Sequence, residues 1–555
     1  MPDHKGLRTT SSAFIAAVIF SFVIFIPDLH NGFLYTWDDG VYIAYNEHIR
    51  TLSGELFRWA FLDFYATYWA PLTWISFALD YSVWGLNPVG YHLTNNVIHS
   101  INAGMFFLLS LELIKIQLNS CHHDSEKAIV LNHTSAIYCS LLAAFFFALH
   151  PLRVESVAWA TARKDVLSLF FGLPAILFYL KHTQCRMASP NLRIHTLSFF
   201  SSRNYWISIT FFSLSLLSKS MLVTLPLVLL VMDWFPLRRL NRSTLIPICY
   251  EKVPFLLLSG IASVLTIYSQ SSALLPYQES NLSSRFLIAG KSIVSYLWMT
   301  FWPAHLSPFY LHPGNVSISN FEYQFPLYVS LIITVCCIFL LNRWPALMAT
   351  WLIYLITLLP ILGITYGGNT AMADRFTYVP GLSVSLLSAL GVVILFLKYS
   401  RTRPIAICIS ATTLLTLLAS CYLTVKQISH WKDDVALWSR AIDVKPHFSG
   451  RVYYQRGRSY AARGEYQKAL TDINEALSIA TRKKHREMGP IFIERARILQ
   501  QLGDINGAIT DYSNAIASSS SSNLSMYYLE RGKLYEETGR TDLANEDFKR
   551  ANGLK

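Results

Sequence analysis

Charged side chains are scarce in this chain: 14% of its 555 residues are Asp, Glu, Lys or Arg, against about 25% in a soluble globular protein. That scarcity excludes a disordered chain, a nucleic-acid-binding domain and an ordinary soluble enzyme. The eight cysteines lack metal spacing; Cys336 and Cys337 are adjacent and the others scatter through apolar segments or their flanks. Neither a zinc site nor a disulfide framework is expected from them. There is no phosphate-binding Gly-rich loop, no G-x-S-x-G and no H-E-x-x-H. No small-residue cleavage site follows the first apolar run, Ser11 to Ile26, so it reads as a first spanning helix and not as a signal peptide.

What the chain has in quantity is apolar surface. Hydrophobic residues make up 53% and the mean hydropathy is +0.34. Nearly all long apolar runs lie in residues 1–425, whereas 426–555 are polar, rich in Ala, Tyr, Arg and Glu, and free of cysteine. The expected fold is all-α: a polytopic membrane domain over 1–425 followed by a polar helical domain over 426–555. A span needs roughly 20 apolar residues. Candidate spans are 11–27, 91–114, 133–150, 165–181, 204–218, 220–236, 253–269, 326–342, 344–362, 377–398 and 404–424.

The net charge of +12 is best explained by basic cytoplasmic loops. With the N-terminus inside, Lys5 and Arg8 are cytoplasmic, as are Lys115 and Lys127, then Lys181, Arg186, Arg193 and Arg203. Arg238, Arg239, Arg242 and Lys252 follow, then Arg343, then Lys398, Arg401 and Arg403. This alternation holds only if the apolar stretch 286–302, which carries Lys291, is re-entrant or interfacial on the outer side. Eleven spans result, with the N-terminus cytoplasmic and the C-terminal domain outside.

The polar tail repeats itself. Gly457, Ala469, Ile473 and Ala476 recur as Ala496, Ala508, Tyr512 and Ala515, and again as Gly532, Ala544, Phe548 and Ala551. The offsets are 12, 4 and 3 each time, and the steps are 39 and 36, near the roughly 34 residues of a tetratricopeptide repeat. Trp438, Ala441 and Pro446 fit the second half of a further repeat. About three repeats and a partial one are expected. Arrays of this kind make concave surfaces that hold polypeptide.

Ionisable groups at membrane depth are costly and mark function by default. Four places stand out, all on the outer side of this topology. Asp38 and Asp39 follow the first span; two neighbouring carboxylates repel, so one can serve as proton acceptor, or Asp-Asp-Gly is simply a turn. His150, Arg153, Glu155, Arg163, Lys164 and Asp165 lie between two spans, where basic residues violate the positive-inside bias. They either meet an anion such as a lipid phosphate, or snorkel and pair internally. Lys219 stands alone between two short apolar spans. Asp374 and Arg375 open a later span; Arg375 can fork onto a phosphate, and Asp374 can cap the helix. Asn281, Asn315 and Asn523 stand in glycosylation-acceptor triplets.

These residues carry a family resemblance. Trp37-Asp38-Asp39 with 42–46, Ala70-Pro71-Leu72-Thr73 through Asn95, His150-Pro151 to Asp165, Ser218-Lys219 through Pro226, and 373–378 together resemble the transmembrane and tetratricopeptide-repeat-containing proteins of the O-mannosyltransferase-like group. The resemblance implies a GT-C type glycosyltransferase that takes a sugar, mannose among the candidates, from a polyprenyl-phosphate carrier on the outer or lumenal face. It implies a first-loop acidic residue as base, which falls on Asp38 or Asp39. Ser220 departs from the family, which often has an acidic residue there. His150, Glu155, Arg163, Lys164, Asp165, Lys219, Asp374 and Arg375 are then expected to bind the lipid phosphate or the sugar. The expected partners are the lipid-linked sugar as co-substrate, an acceptor protein hydroxyl of Ser or Thr held by the array, and membrane lipid. No nucleic acid, dissociable cofactor or metal is expected. A membrane-anchored repeat scaffold without enzymatic activity is the competing reading, and a flippase of lipid-linked glycans is a third.

Overall fold

The computed structural model describes residues 4–121, 131–188, 198–271, 281–364, 370–482, 488–518 and 524–554. Lys127, Arg193 and Asn523 lie outside them. Among the described residues the protein is all-α apart from one two-stranded antiparallel pair, Tyr310–Leu311 with Thr370–Met372. The chain divides into two compact units, 1–33 with 38–432, and 34–37 with 433–555. The division differs from an expected boundary at 425 for a local reason. Helix Arg403–Ser429 runs on past that point, and four residues of the first loop fold with the C-terminal unit.

The first unit is an integral membrane bundle. Seven described helices are long and apolar enough to cross a bilayer: Arg8–His30, Pro88–Asn119, Ala160–Met187, Leu245–Gln270, Phe321–Phe339, Gly381–Tyr399 and Arg403–Ser429. His133–Ala148 and Pro151–Ala158 make an eighth only as a pair, bent by 57°. Three of the eleven expected spans are shorter than a crossing requires. Arg203–Ser218 has 16 residues, Leu225–Trp234 has 10 and Pro345–Leu358 has 14. Ten residues of helix rise about 15 Å, half of a hydrocarbon core of about 30 Å. Proline sets the limits of the last two. Pro226 and Pro345 occupy first turns, where their missing N–H costs nothing, and Pro360 enters the 3-10 turn that ends the third helix. The stretch expected to be a re-entrant or interfacial helix is the helix Leu282–Phe301, whose Lys291 pairs with Glu322.

A bent span exposes backbone groups that water cannot reach, so side chains must satisfy them. Helix Pro88–Cys121 supplies the side chains. Asn95, His99 and Asn102 are spaced 4 and 3 residues apart, hence on one face, and all are fully buried. Asn95 Nδ2 donates to the carbonyls of Val157 and Trp159 at 3.0 and 3.1 Å. His99 Nε2 donates to Ala148 O at 3.2 Å while its Nδ1 accepts from the Tyr378 hydroxyl at 2.8 Å. Asn102 Nδ2 donates to Val166 O at 2.9 Å. This polar stripe lets the chain leave helical geometry between Ala148 and Arg163. At the other end of the unit a buried ion network ties four elements. Lys252 Nζ meets Asp233 at 2.6 Å and Arg239 meets Glu251 at 2.6 Å, with Tyr179 donating to Asp233 at 2.8 Å.

The second unit is a right-sized repeat array. Gly450–Ala462 pairs with Tyr466–Arg482, Gly489–Gln501 with Ile505–Ser518, and Leu524–Glu537 with Thr541–Gly553, preceded by Asp434–Val444. Small residues permit the close packing: a Cβ on Gly457 would sit 2.8 Å from Ile473 and 3.3 Å from Ala469 O. Each helix pair turns on a glycine at positive φ, Gly464, Gly503 and Gly539, the left-handed cap that favours glycine. Each pair is also stapled by an arginine forked onto an aspartate 16 residues on: Arg456 to Asp472, Arg495 to Asp511 and Arg531 to Asp547. The free end of each guanidinium reaches back to Ser439, Asn474 or Ser513 of the preceding helix. Arg495→Ala strands the buried Asp511 carboxylate and should lower the opening free energy of that pair by about 2 kcal/mol. Hydrogen exchange of 489–518 in the full chain reads this directly; unchanged protection would contradict the staple.

Candidate functional site

The interrupted segment between Ala148 and Arg163, and the helix that follows it, fix two carboxylates, Glu155 and Asp165. Glu155, in the short helix Val154–Ala158, forms an ion pair with the Arg375 guanidinium and accepts from the Arg375 backbone N–H at 2.8 Å. Asp165, in the first turn of Arg163–Ala188, forms an ion pair with Lys219. Lys219 is an extended residue between two helical segments, so its side chain can lie across to Asp165. Burial alone would lower the Arg375 pKa, but the Glu155 and Asp165 carboxylates more than offset this and raise it. Arg375 therefore stays charged.

Arg163 does different work. Its guanidinium is fully buried. It donates to Asp80 at 2.6 Å, Tyr91 O at 2.8 Å and the Asn95 side-chain oxygen, and lies 5.1 Å from the Phe77 ring. This is a structural clamp, as is His150, whose ring nitrogens engage Thr300 O at 2.9 Å and the Leu152 N–H at 3.2 Å. Asp374 accepts from the Tyr310 hydroxyl at 2.7 Å; burial, then the Asp374 charge, raises the Tyr310 pKa well above its ordinary value. Arg163, His150 and Asp374 thus hold the scaffold, while Glu155, Asp165, Lys219 and Arg375 come together.

The two first-loop carboxylates separate. Asp39 is fully buried, and its Oδ1 accepts from the Thr161 N–H at 3.0 Å. Asp39 thereby caps the turn in front of the Arg163 helix. Asp38 is half-buried, and among the described residues no hydrogen bond or ion pair engages it. Its charge reaches Tyr42, whose pKa is raised well above the ordinary value by burial first and by Asp38 second. It also reaches Lys164. The Lys164 ammonium sits in an aromatic box, 4.2 Å from the Tyr68 ring, 4.8 Å from Tyr42 and 5.8 Å from Trp159. Trp74 backs that box edge-on against Tyr42 at 5.2 Å. Ring faces attract an ammonium without a fixed salt bridge.

Tyr68 connects the box to a cavity of about 230 Å³. Its walls include Lys219, Arg375 and Arg285, with His312, Tyr68 and Phe376. Apolar Met221, Ile288, Ile361 and Leu362 also line it. Three cations around one partly apolar hollow suit an amphiphilic anion: the anionic head meets Lys219, Arg375 and Arg285, and a hydrocarbon chain can follow the apolar wall. Burial, and after it the Arg285 charge, lowers the His312 pKa, so His312 is neutral near pH 7. Its Nδ1 accepts from the Gly314 N–H at 3.1 Å, which leaves Nε2 as the protonated nitrogen.

The chain is similar to the protein O-mannosyl-transferases. It is 30% identical to protein O-mannosyl-transferase TMTC2 of Mus musculus over 198 residues, 36% of this chain and 20% of the relative. Against protein O-mannosyl-transferase F38B6.6 of Caenorhabditis elegans it is 24% identical over 405 residues, 70% of this chain and 50% of the relative. Against protein O-mannosyl-transferase Tmtc1 of Drosophila melanogaster it is 29% identical over 192 residues, 32% of this chain and 19% of the relative. The chain thus spans from about a fifth to half of the length of these three curated relatives. A tetratricopeptide-repeat family model matches residues 450–482.

Sequence reasoning missed Arg285, His312 and Tyr68 on the cavity wall. Arg285 carried one available signal: a lone arginine in the first turns of an apolar helix. The clamp around Arg163 has a definite cost of removal. Arg163→Lys keeps the charge but loses the planar fork, leaving Asp80 Oδ2 or Asn95 Oδ1 without its donor, and should cost about 2 kcal/mol. The thermal midpoint of the detergent-purified protein measures it; a midpoint equal to the parent's would contradict the clamp.

Proposed function

We propose that this chain is a GT-C type membrane glycosyltransferase. It moves a sugar, mannose on the strength of its relatives' names, from a polyprenyl phosphate to a Ser or Thr hydroxyl of a protein. The positive-inside pattern supports an outer or lumenal face for the reaction and a cytoplasmic N-terminus. The observation that carries the reading is the pairing of an unengaged carboxylate, Asp38, with a neighbouring cavity walled by Lys219, Arg375 and Arg285.

The chemistry follows from charge. The donor is a phosphodiester with one negative charge. The Asp38 carboxylate accepts the proton of the acceptor hydroxyl as its oxygen bonds to the anomeric carbon. The bond from that carbon to the phosphate oxygen breaks, and its electron pair leaves with the polyprenyl phosphate. The leaving group gains one negative charge, so cations fixed around it stabilise the transition state more than the ground state. Lys219 and Arg375 are held by Asp165 and Glu155 before the donor arrives, so little reorganisation is needed. Lys164, held by ring faces, lies within electrostatic reach of Asp38. No dissociable cofactor enters these steps.

Between the two first-loop acids, Asp38 is the base and Asp39 the brace. Asp38→Asn should cut transfer by about 10² or more, the usual worth of a positioned base. Asp39→Asn retains an acceptor for the Thr161 N–H and should lose far less. Glycan mass spectrometry of non-cytosolic proteins, from cells lacking the chain and cells carrying each variant, tests this. Identical glycans in every sample would overturn the transferase and favour a repeat scaffold without enzymatic activity.

A further inference from the structure

The residues in front of Asp38 do not fold with the unit that contains it. Leu34–Trp37 are part of the helical array. They form a turn closed by the Trp37 N–H donating to Leu34 O at 3.1 Å. Asp434, in the first turn of Asp434–Val444, holds this turn with both carboxylate oxygens. Oδ2 accepts from the Tyr35 N–H at 3.1 Å, and Oδ1 accepts from the Thr36 N–H at 3.0 Å and the Thr36 hydroxyl at 2.5 Å. The Thr36 hydroxyl oxygen in turn accepts from Trp438 Nε1 at 2.8 Å. Gln455 Nε2, from the first full repeat, donates to Thr36 O at 2.6 Å. The Trp37 ring meets Trp438 edge-on at 5.0 Å.

Five hydrogen bonds therefore fix three successive peptide units and one hydroxyl, and three of the five end on the Asp434 carboxylate. Such charge-assisted bonds are the strong ones. The density of bonds is unusual for a connecting turn of four residues, and a tether would need none of it. The next peptide bond leads to Asp38.

We propose that Asp434, Trp438 and Gln455 are positioning residues for Asp38: the array sets the placement of the proton acceptor through the turn Leu34–Trp37. This rests on the reading of Asp38 as the base. Because Gln455 belongs to a repeat that can hold polypeptide, seating an acceptor on the array and aligning the base become linked events. The array acts on turnover, not merely on acceptor capture.

Thr36 gives the sharpest test, in the full-length chain. Thr36→Val is nearly isosteric yet removes the hydroxyl's bond to Asp434 and the bond it accepts from Trp438, whereas Thr36→Ser keeps both. Trp438→Phe removes one bond and keeps a ring against Trp37, and is the milder variant should Thr36→Val fold poorly. Initial rates of mannose transfer from polyprenyl-phosphate mannose are measured against donor concentration. Thr36→Val should lower kcat at least fivefold and Trp438→Phe about twofold or more, with donor KM within twofold of the parent; Thr36→Ser should match the parent. An inactive Asp38→Asn beside unchanged kcat in Thr36→Val and Trp438→Phe overturns the positioning role alone. An active Asp38→Asn overturns the base assignment and this inference with it.

Discussion

A carbonyl or a charge inside an apolar bundle has no water to turn to, so each must find a partner in the protein. The Asn95, His99 and Asn102 stripe is where this structure answers that demand. It accepts the cost of three buried polar side chains on one face of a spanning helix. In return the chain can break its helix between Ala148 and Arg163 without orphaning Ala148 O, Val157 O or Trp159 O. Glu155, Lys164 and Asp165 stand where they do because of that break. A continuous helix through the same residues would point them around its circumference at 100° intervals.

Charge pairing then determines what the exposed ends of the side chains can do. Burying an unpaired ion costs several kcal/mol, which explains why Lys219 and Arg375 each rest on a buried carboxylate. Pairing also aims them. Both retain some exposure, 13% and 15% of the side chain, and both line the same cavity. Arg163 is the contrasting case: its partners enclose it completely and nothing is left to face a ligand. Asp38 and Asp39 show the same division of labour one residue apart, since Asp39 is spent on the Thr161 N–H and Asp38 is not.

The sequence made some of this legible and hid the rest for physical reasons. The repeat array could be read because close helix packing forces small residues to recur at fixed offsets. Its Arg–Asp staples escaped notice although they recur at 16 residues, because an exposed-looking arginine and a distant aspartate carry no local signal. All-α membrane character followed from composition. The lengths of Arg203–Ser218, Leu225–Trp234 and Pro345–Leu358 did not, since an apolar run reports hydropathy and not where a helix begins or ends; for the last two, Pro226, Pro345 and Pro360 carried that signal. Arg163 read as a ligand-binding cation because its partner Asp80 lies 83 residues away. Arg285 and Tyr68 were missed because cavity walls are assembled by packing, and no spacing announces them.

The central claim is that Lys219, Arg375 and Arg285 receive the phosphate of a lipid-linked sugar beside Asp38. A cryo-electron microscopy structure of the full chain in lipid nanodiscs, supplied with polyprenyl-phosphate mannose, tests it most directly. The account predicts phosphate density within hydrogen-bond distance of Lys219 and Arg375, with the sugar directed toward Asp38. Donor density seated elsewhere, or the sugar facing away from that carboxylate, would contradict it.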